Sequence, residues 1–163
     1  MKSNKIHNIN KLLQRNIYLV TNIHKNMLKI YTDGASRSNP GKAAIGIVIF
    51  DSNDKEVFKK KEYIGIASNN VAEYTALVKS LSKAKTFAKD GKEEIICYSD
   101  SELMIRQLNG LYKVKNTNLK ELFAEVQLLI QEFKKVEFRH VKRENPKIQI
   151  ADSLANMALD DAA

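Results

Sequence analysis

Four acidic residues stand where a folded chain could gather carboxylates: Asp33, Glu73, Asp100 and Asp152. Asp33 ends an alternating segment, in Tyr31-Thr32-Asp33-Gly34-Ala35-Ser36, and Asp100 ends an apolar one, in Tyr98-Ser99-Asp100-Ser101. Glu73 opens a helical pattern, in Asn69-Asn70-Val71-Ala72-Glu73-Tyr74, among residues that otherwise form its apolar side. Asp152 lies in the predicted first turn of another, in Ala151-Asp152-Ser153-Leu154-Ala155-Asn156. An α/β sheet presents side chains to a ligand at such strand ends and helix starts. Carboxylates gathered there repel. At roughly 4 Å and an effective dielectric near 20, one pair costs about 4 kcal/mol. A divalent cation removes that penalty, and all-oxygen ligand sets suit Mg²⁺ or Mn²⁺. Singly, each acid has a plainer reading. Asp152 and Glu73 could answer a helix dipole, Asp33 could make an Asx-turn before Gly34, and Asp100 could be an N-cap. Together they point to metal-dependent chemistry, because the strands ending in Asp33 and Asp100 are predicted neighbours.

The elements that must position these acids follow from periodicity. Strands are predicted at Leu28–Thr32, Ala44–Phe50 and Glu56–Ile66, the last two joined by the polar turn Asp51–Lys55. A helix follows from Asn70 to about Lys89, ended by Asp90-Gly91, with Ala72, Ala76, Leu77, Leu81 and Ala84 on one face. Next come a buried strand at Glu94–Ser99, a short helix at Glu102–Leu108 and an amphipathic helix at Leu119–Phe133. A fifth strand at Val136–Val141, a loop at Asn145-Pro146 and a helix from Ile150 to about Leu159 complete the chain. This order predicts an α/β fold, a mixed five-stranded sheet with helices on both faces.

The chain has 163 residues, enough for one domain with a real core. One cysteine, Cys97, excludes a disulfide framework, and with three histidines beside it a structural zinc site is not expected. The apolar run Ala43–Phe50 is too short to cross a bilayer, so no membrane partner is expected. A cytoplasmic, reducing location is the expectation. The net charge is +8, but it is unevenly placed. Residues 1–26 hold five basic residues, no acidic ones and six Asn, leaving 22 basic against 19 acidic residues in 27–163. This divides the chain into a basic, Asn-rich extension (1–26) and a domain (27–163). The extension reads as sequence upstream of a start at Met27, as a basic arm for nucleic acid, or as an organellar targeting segment. The first is favoured, since a single Arg and few Ser fit targeting poorly. Ile6, Ile9, Leu13, Ile17 and Val20 would share one helical stripe.

The four acidic motifs, with Asn39-Pro40-Gly41 following the first, resemble the signatures of the type 1 ribonuclease H family, in order and in register over residues 27–160. The resemblance implies the ribonuclease H-like fold with strand order 3-2-1-4-5. It also implies endonucleolytic hydrolysis of the RNA strand of RNA–DNA hybrids, leaving 5′-phosphate and 3′-hydroxyl ends. Two Mg²⁺ ions (or Mn²⁺) would be shared among the acids: Asp33 bridging both, Asp100 completing the water-activating site, and Asp152 serving the leaving 3′ oxygen. Glu73 would hold a bound water near the RNA 2′-hydroxyl. Gly34, Ala35, Ser36, Asn69 and Asn70 would contact the hybrid along its minor groove and RNA strand, and Asn39 and Ser68 a phosphate of the DNA strand.

Only Gly110–Asn118, with Lys113 and Lys115, lies where some family members carry a basic handle helix, so the chain resembles the short, handle-less form. Residues 1–26 would then partly replace the handle. The family's mobile basic residue after the fifth strand maps first to Arg143 and second to His140, which also reads as a satisfied strand-end residue; the stretch from His140 to Asp152 is about two residues longer than the usual spacing. A monomer is expected. Two other readings stand beside this one. The first is a non-cleaving nucleic-acid binding module on the same fold, and the second a nuclease that also cuts RNA–RNA duplexes, whose shallow groove presents similar contacts. A P-loop is absent, since Ala43 follows Gly41-Lys42.

Overall fold

The computed structural model describes residues 11–14, 26–88 and 90–163. Expectations for the extension fall outside the described residues, apart from a helical turn at residues 11–14 in which Leu12 and Leu13 are exposed. Five strands form one sheet in the order β3-β2-β1-β4-β5. They are β1 (Met27–Ser36), β2 (Gly41–Asp51), β3 (Glu56–Ala67), β4 (Glu94–Ser99) and β5 (Lys135–His140). The helices are α1 (Asn69–Lys85), α2 (Glu102–Leu108), α3 (Thr117–Leu129) and α4 (Pro146–Asp161).

Period-two alternation sorts the core onto two faces. Leu28, Ile30, Ile45, Ile47 and Ile49 point toward α1 and α3 and join one large apolar cluster with Leu77, Leu81 and Val126. Tyr31, Val48 and Phe50 point the other way and pack on Ile148 of α4. The interior strand β2 is buried on both faces, hence its unbroken apolar run. On the edge strand β3, lysines 59–61 discourage further strand pairing.

Several boundaries differ from the sequence reading, each for a local reason. β1 runs on to Ser36, because Gly34, Ala35 and Ser36 continue the antiparallel ladder with Ile45, Ala44 and Ala43. Asp33 therefore sits inside the strand, not at its end, and makes no Asx-turn. α1 stops at Lys85, where Thr86 Oγ1 donates to the Lys83 carbonyl at 2.8 Å and the side chain takes over a helix acceptor. Gly91, at φ +63°, serves the turn before β4 instead of the helix end. α3 ends at Leu129 in a 3₁₀ turn, Ile130–Glu132, and β5 begins one residue early, at Lys135. Asn145-Pro146 is not a loop. Asn145 Oδ1 accepts from the N–H groups of Lys147 and Ile148, and Pro146, with no N–H to satisfy, starts α4.

α4 lies unusually close to the sheet. A Cβ built on Gly46 would fall 1.9 Å from the Ala151 carbonyl oxygen, so only glycine permits this contact. Gly46 pairs with Asp33 across the β1–β2 ladder, and Ala151 precedes Asp152. The same contact that packs the helix thus brings Asp152 beside Asp33. Replacing Gly46 by Ala must lift α4 or bend β2. The expected loss of stability is about 1–3 kcal/mol, the usual cost of overpacking, read as a lower midpoint in thermal or urea unfolding. An unchanged midpoint would contradict this packing.

Candidate active site

β1 and β4 are paired in parallel only as far as Tyr31 and Tyr98. Beyond that pair the strands separate, and Asp33 and Asp100 face the gap. α1 enters it from the opposite face of the sheet. Its approach depends on Gly34, where a Cβ would lie 2.3 Å from the backbone of Ala72 and Glu73. Glu73 is thereby brought over the strand ends. One oxygen from each of Asp33, Glu73 and Asp100 lies within 4.8 Å of the other two. Asp33 and Glu73 are buried, at 5% and 4% exposure, so water screens little of their repulsion.

The plainer readings of these acids lose their footing here. Ser101, not Asp100, caps α2, its hydroxyl accepting from Met104 N–H at 3.4 Å. Ser68 caps α1, accepting from Val71 N–H at 3.2 Å, which leaves Glu73 one residue past the first turn. Asp152 is in the second turn of α4, not its first. None of these carboxylates serves as a helix cap.

Asp152 stands slightly apart from the other three. It is close enough to raise the Asp33 pKa, and Arg143 Nη2 donates to its Oδ1 at 2.7 Å. Arg143 also favours the ionised forms of Asp33 and Glu73 and lines the cleft. His140 sits differently, its Nε2 being 3.3 Å from the backbone oxygen of Asp100. Burial first, then the Asp100 and Asp152 charges, push Asp33 up to about 7. Burial, then Asp33 and Asp100, push Glu73 well above the carboxylate range, against a hydrogen bond from Gly34 N–H. Glu73 Oε2 is buried with no hydrogen-bond partner. A hard divalent cation fits this donor set: all oxygen, negatively charged, and with one oxygen left unsatisfied.

A cleft of about 380 Å³ opens over the cluster. Besides Asp33, Glu73 and Asp100, its walls include Gly34, Ala35, Ser36 and Asn69. Asn39 lies outside this wall but supports it, its Oδ1 accepting from Asn69 N–H at 3.2 Å. Ser68 and Asn70 also lie outside it, Ser68 engaged as the α1 cap. Two lining residues escaped the sequence reading, Ser101 and Asn156. Asn156 is one helical turn beyond Asp152 and donates to its carbonyl at 3.0 Å, a spacing that the fourth motif already contained. Gly46 was missed too, since a close backbone approach leaves no periodic trace.

Comparison with known proteins agrees with this geometry. A family model described as "Reverse transcriptase-like" matches residues 31–158. The chain is 39% identical over 132 residues to Ribonuclease HI of Halobacterium salinarum, covering 81% of this chain and 64% of that protein. It is 38% identical over 135 residues to the bifunctional protein Rv2228c of Mycobacterium tuberculosis, covering 82% of this chain but only 36% of that longer protein. Among solved structures, LC11-RNase H1 in complex with an RNA/DNA hybrid superposes with a TM-score of 0.77 at 42% identity, over 83% of this chain and 98% of that one. Fold and site together define a ribonuclease H-like domain. The chain belongs to the type 1 ribonuclease H family, in the form without a helix between α2 and α3.

The raised pKa of Asp33 makes a prediction about stability without metal. Between about pH 4 and 7 the folded chain keeps a proton on Asp33 that the unfolded chain releases. This site therefore supports folding below its ordinary pKa, and that support is lost as pH rises through about 7. Asp33→Asn removes the loss. In EDTA at pH 8 the variant should be more stable than the wild type by on the order of 2 kcal/mol, with a smaller difference at pH 5. Equal unfolding curves at pH 8 would contradict the cost assigned to an ionised, buried Asp33.

Proposed function

We propose that this protein hydrolyses the RNA strand of RNA–DNA hybrids and leaves 5′-phosphate and 3′-hydroxyl ends. One observation carries the reading: three carboxylates from β1, α1 and the end of β4 converge within 4.8 Å under a cleft walled by the Gly34–Ser36 backbone and Asn69. Pure binding of a polyanion gains nothing from such a cluster, which repels phosphate as well as itself. The LC11 protein, seen with a hybrid, supports the same substrate class for this chain.

Asp33, Glu73, Asp100 and Asp152 would hold two divalent ions, Mg²⁺ or Mn²⁺. Such ions, when bound, polarise the scissile phosphate, activate water and stabilise the leaving oxygen. The chain's own residues hold and orient the parts. Asp33, which interacts with Glu73, Asp100 and Asp152 alike, would be the ligand that both ions share. Arg143 balances Asp152 and is free to swing away, its side chain being 71% exposed. The backbone of Gly34, Ala35 and Ser36 offers no bulk against the RNA strand, and Asn69 and Asn70 offer amides to the minor groove, where the 2′-hydroxyl distinguishes RNA from DNA. Asn39 and Ser68 would lie along the DNA strand. Among the described residues no helix is long and apolar enough to cross a membrane. A monomer in the cytoplasm, where the lone buried Cys97 stays reduced, completes the proposal.

Cleavage of a labelled hybrid, with and without Mg²⁺, tests it. The wild type should cut the RNA strand only with metal, and Asp100→Asn should lower the rate by about 10²-fold or more while the fold is retained. Binding without cleavage would favour a silent binding module, and near wild-type cutting by Asp100→Asn would refute the assignment. An RNA–RNA control reads whether the cleft also accepts that duplex.

A further inference from the structure

The β1–β4 ladder ends before it reaches the carboxylates, so it does not set the distance between Glu73 and Asp100. The residue after Glu73 offers a means. Tyr74 is 1% exposed, and its hydroxyl donates to Gln107 Oε1 at 2.9 Å. Gln107, 6% exposed, lies in the last turn of α2. The other end of α2 is capped by Ser101, next to Asp100, and Ser101 N–H donates to Ser99 Oγ at 3.1 Å. A closed path therefore runs from Glu73 through Tyr74 and Gln107 along α2 to Asp100. Among the described residues it is the one side-chain hydrogen bond that joins α1 to α2. Repulsion between Glu73 and its neighbours acts across this α1–α2 contact. A Tyr–Gln pair is a costly choice for a buried contact between two helices, because each partner must be satisfied by the other.

We propose that the Tyr74–Gln107 hydrogen bond fixes the separation of Glu73 and Asp100, making both residues positioning residues for the carboxylate cluster. The inference rests on the metal-dependent reading of that site. It separates from that reading because its readout is metal affinity rather than cleavage.

Titration calorimetry of Mn²⁺ into the full metal-free chain gives the test, alongside thermal unfolding and hybrid-cleavage kinetics. Tyr74→Phe keeps the ring and loses only the hydroxyl. It should bind Mn²⁺ about tenfold more weakly, the usual effect of removing a group that orients a metal ligand. Its kcat should fall with little change in KM for the hybrid. The double variant Tyr74→Phe/Gln107→Met removes both polar partners, so its unfolding midpoint should recover toward wild type. Its Mn²⁺ affinity should stay weak. Wild-type affinity in Tyr74→Phe overturns the proposal, and so does an affinity that recovers together with stability in the double variant. A wild type that cleaves hybrids while Tyr74→Phe binds Mn²⁺ normally defeats the positioning role alone. A wild type that binds Mn²⁺ but cuts nothing defeats the nuclease reading, and weak binding by Tyr74→Phe then still supports the positioning role. No Mn²⁺ binding by the wild type defeats both.

Discussion

Mutual repulsion among carboxylates, two of them buried at the floor of a cleft, is the constraint around which this molecule is arranged. Left to themselves, Asp33, Glu73 and Asp100 would separate or take up protons, and burial first, with the neighbouring charges added, raises the pKa values of Asp33 and Glu73. The protein keeps them together by anchoring each on a different rigid element. Asp33 sits inside a ladder bonded to β2 on one side, Asp100 follows a strand flanked by β1 and β5, and Glu73 rides on a helix of 17 residues packed into the main core. No single element could relax the cluster without breaking its own hydrogen bonds or its packing.

Two glycines bring those elements close enough. Gly34 lets α1 reach β1, and Gly46 lets α4 reach β2 beside Asp33. These approaches occur on opposite faces of the sheet, so the acids arrive from both sides of the gap between β1 and β4. Arg143 supplies a positive charge that tempers Asp33 and Glu73 directly while its hydrogen bond goes to Asp152, which stands apart from the other three. The arrangement divides the site into a tight trio, Asp33, Glu73 and Asp100, and a fourth acid, Asp152, paired with the exposed Arg143.

Much of this was legible in the residues. Alternating and apolar runs located five strands in a mixed sheet, the family resemblance implied their order, and the four acids were found because each stood at a predicted strand end or helix start. Element ends were less legible. The 34–36 segment of β1 carries Gly, Ala and Ser, which have little strand preference alone, and pairing with β2 decides its conformation. Asn145-Pro146 uses the same residue types for a turn and for a helix start, and only the capping bonds distinguish the two. Within the site, Asn156 was available from its one-turn spacing to Asp152, whereas Gly46 and the Tyr74–Gln107 bond depend on tertiary approach and leave no local pattern. Arg143 was preferred to His140 on the sequence, and geometry gives the two different neighbours: Arg143 meets a carboxylate, His140 a backbone carbonyl.

The central claim is that the carboxylates are gathered for divalent ions rather than for structure. Its most direct test is anomalous X-ray scattering from a crystal of the protein equilibrated with Mn²⁺ and a non-cleavable hybrid. The account predicts two manganese peaks, both within coordination distance of Asp33, about 2.1 Å from carboxylate oxygens. Asp152 should have exchanged Arg143 for metal. No manganese at Asp33, with the Arg143–Asp152 pair intact beneath a bound hybrid, would contradict it.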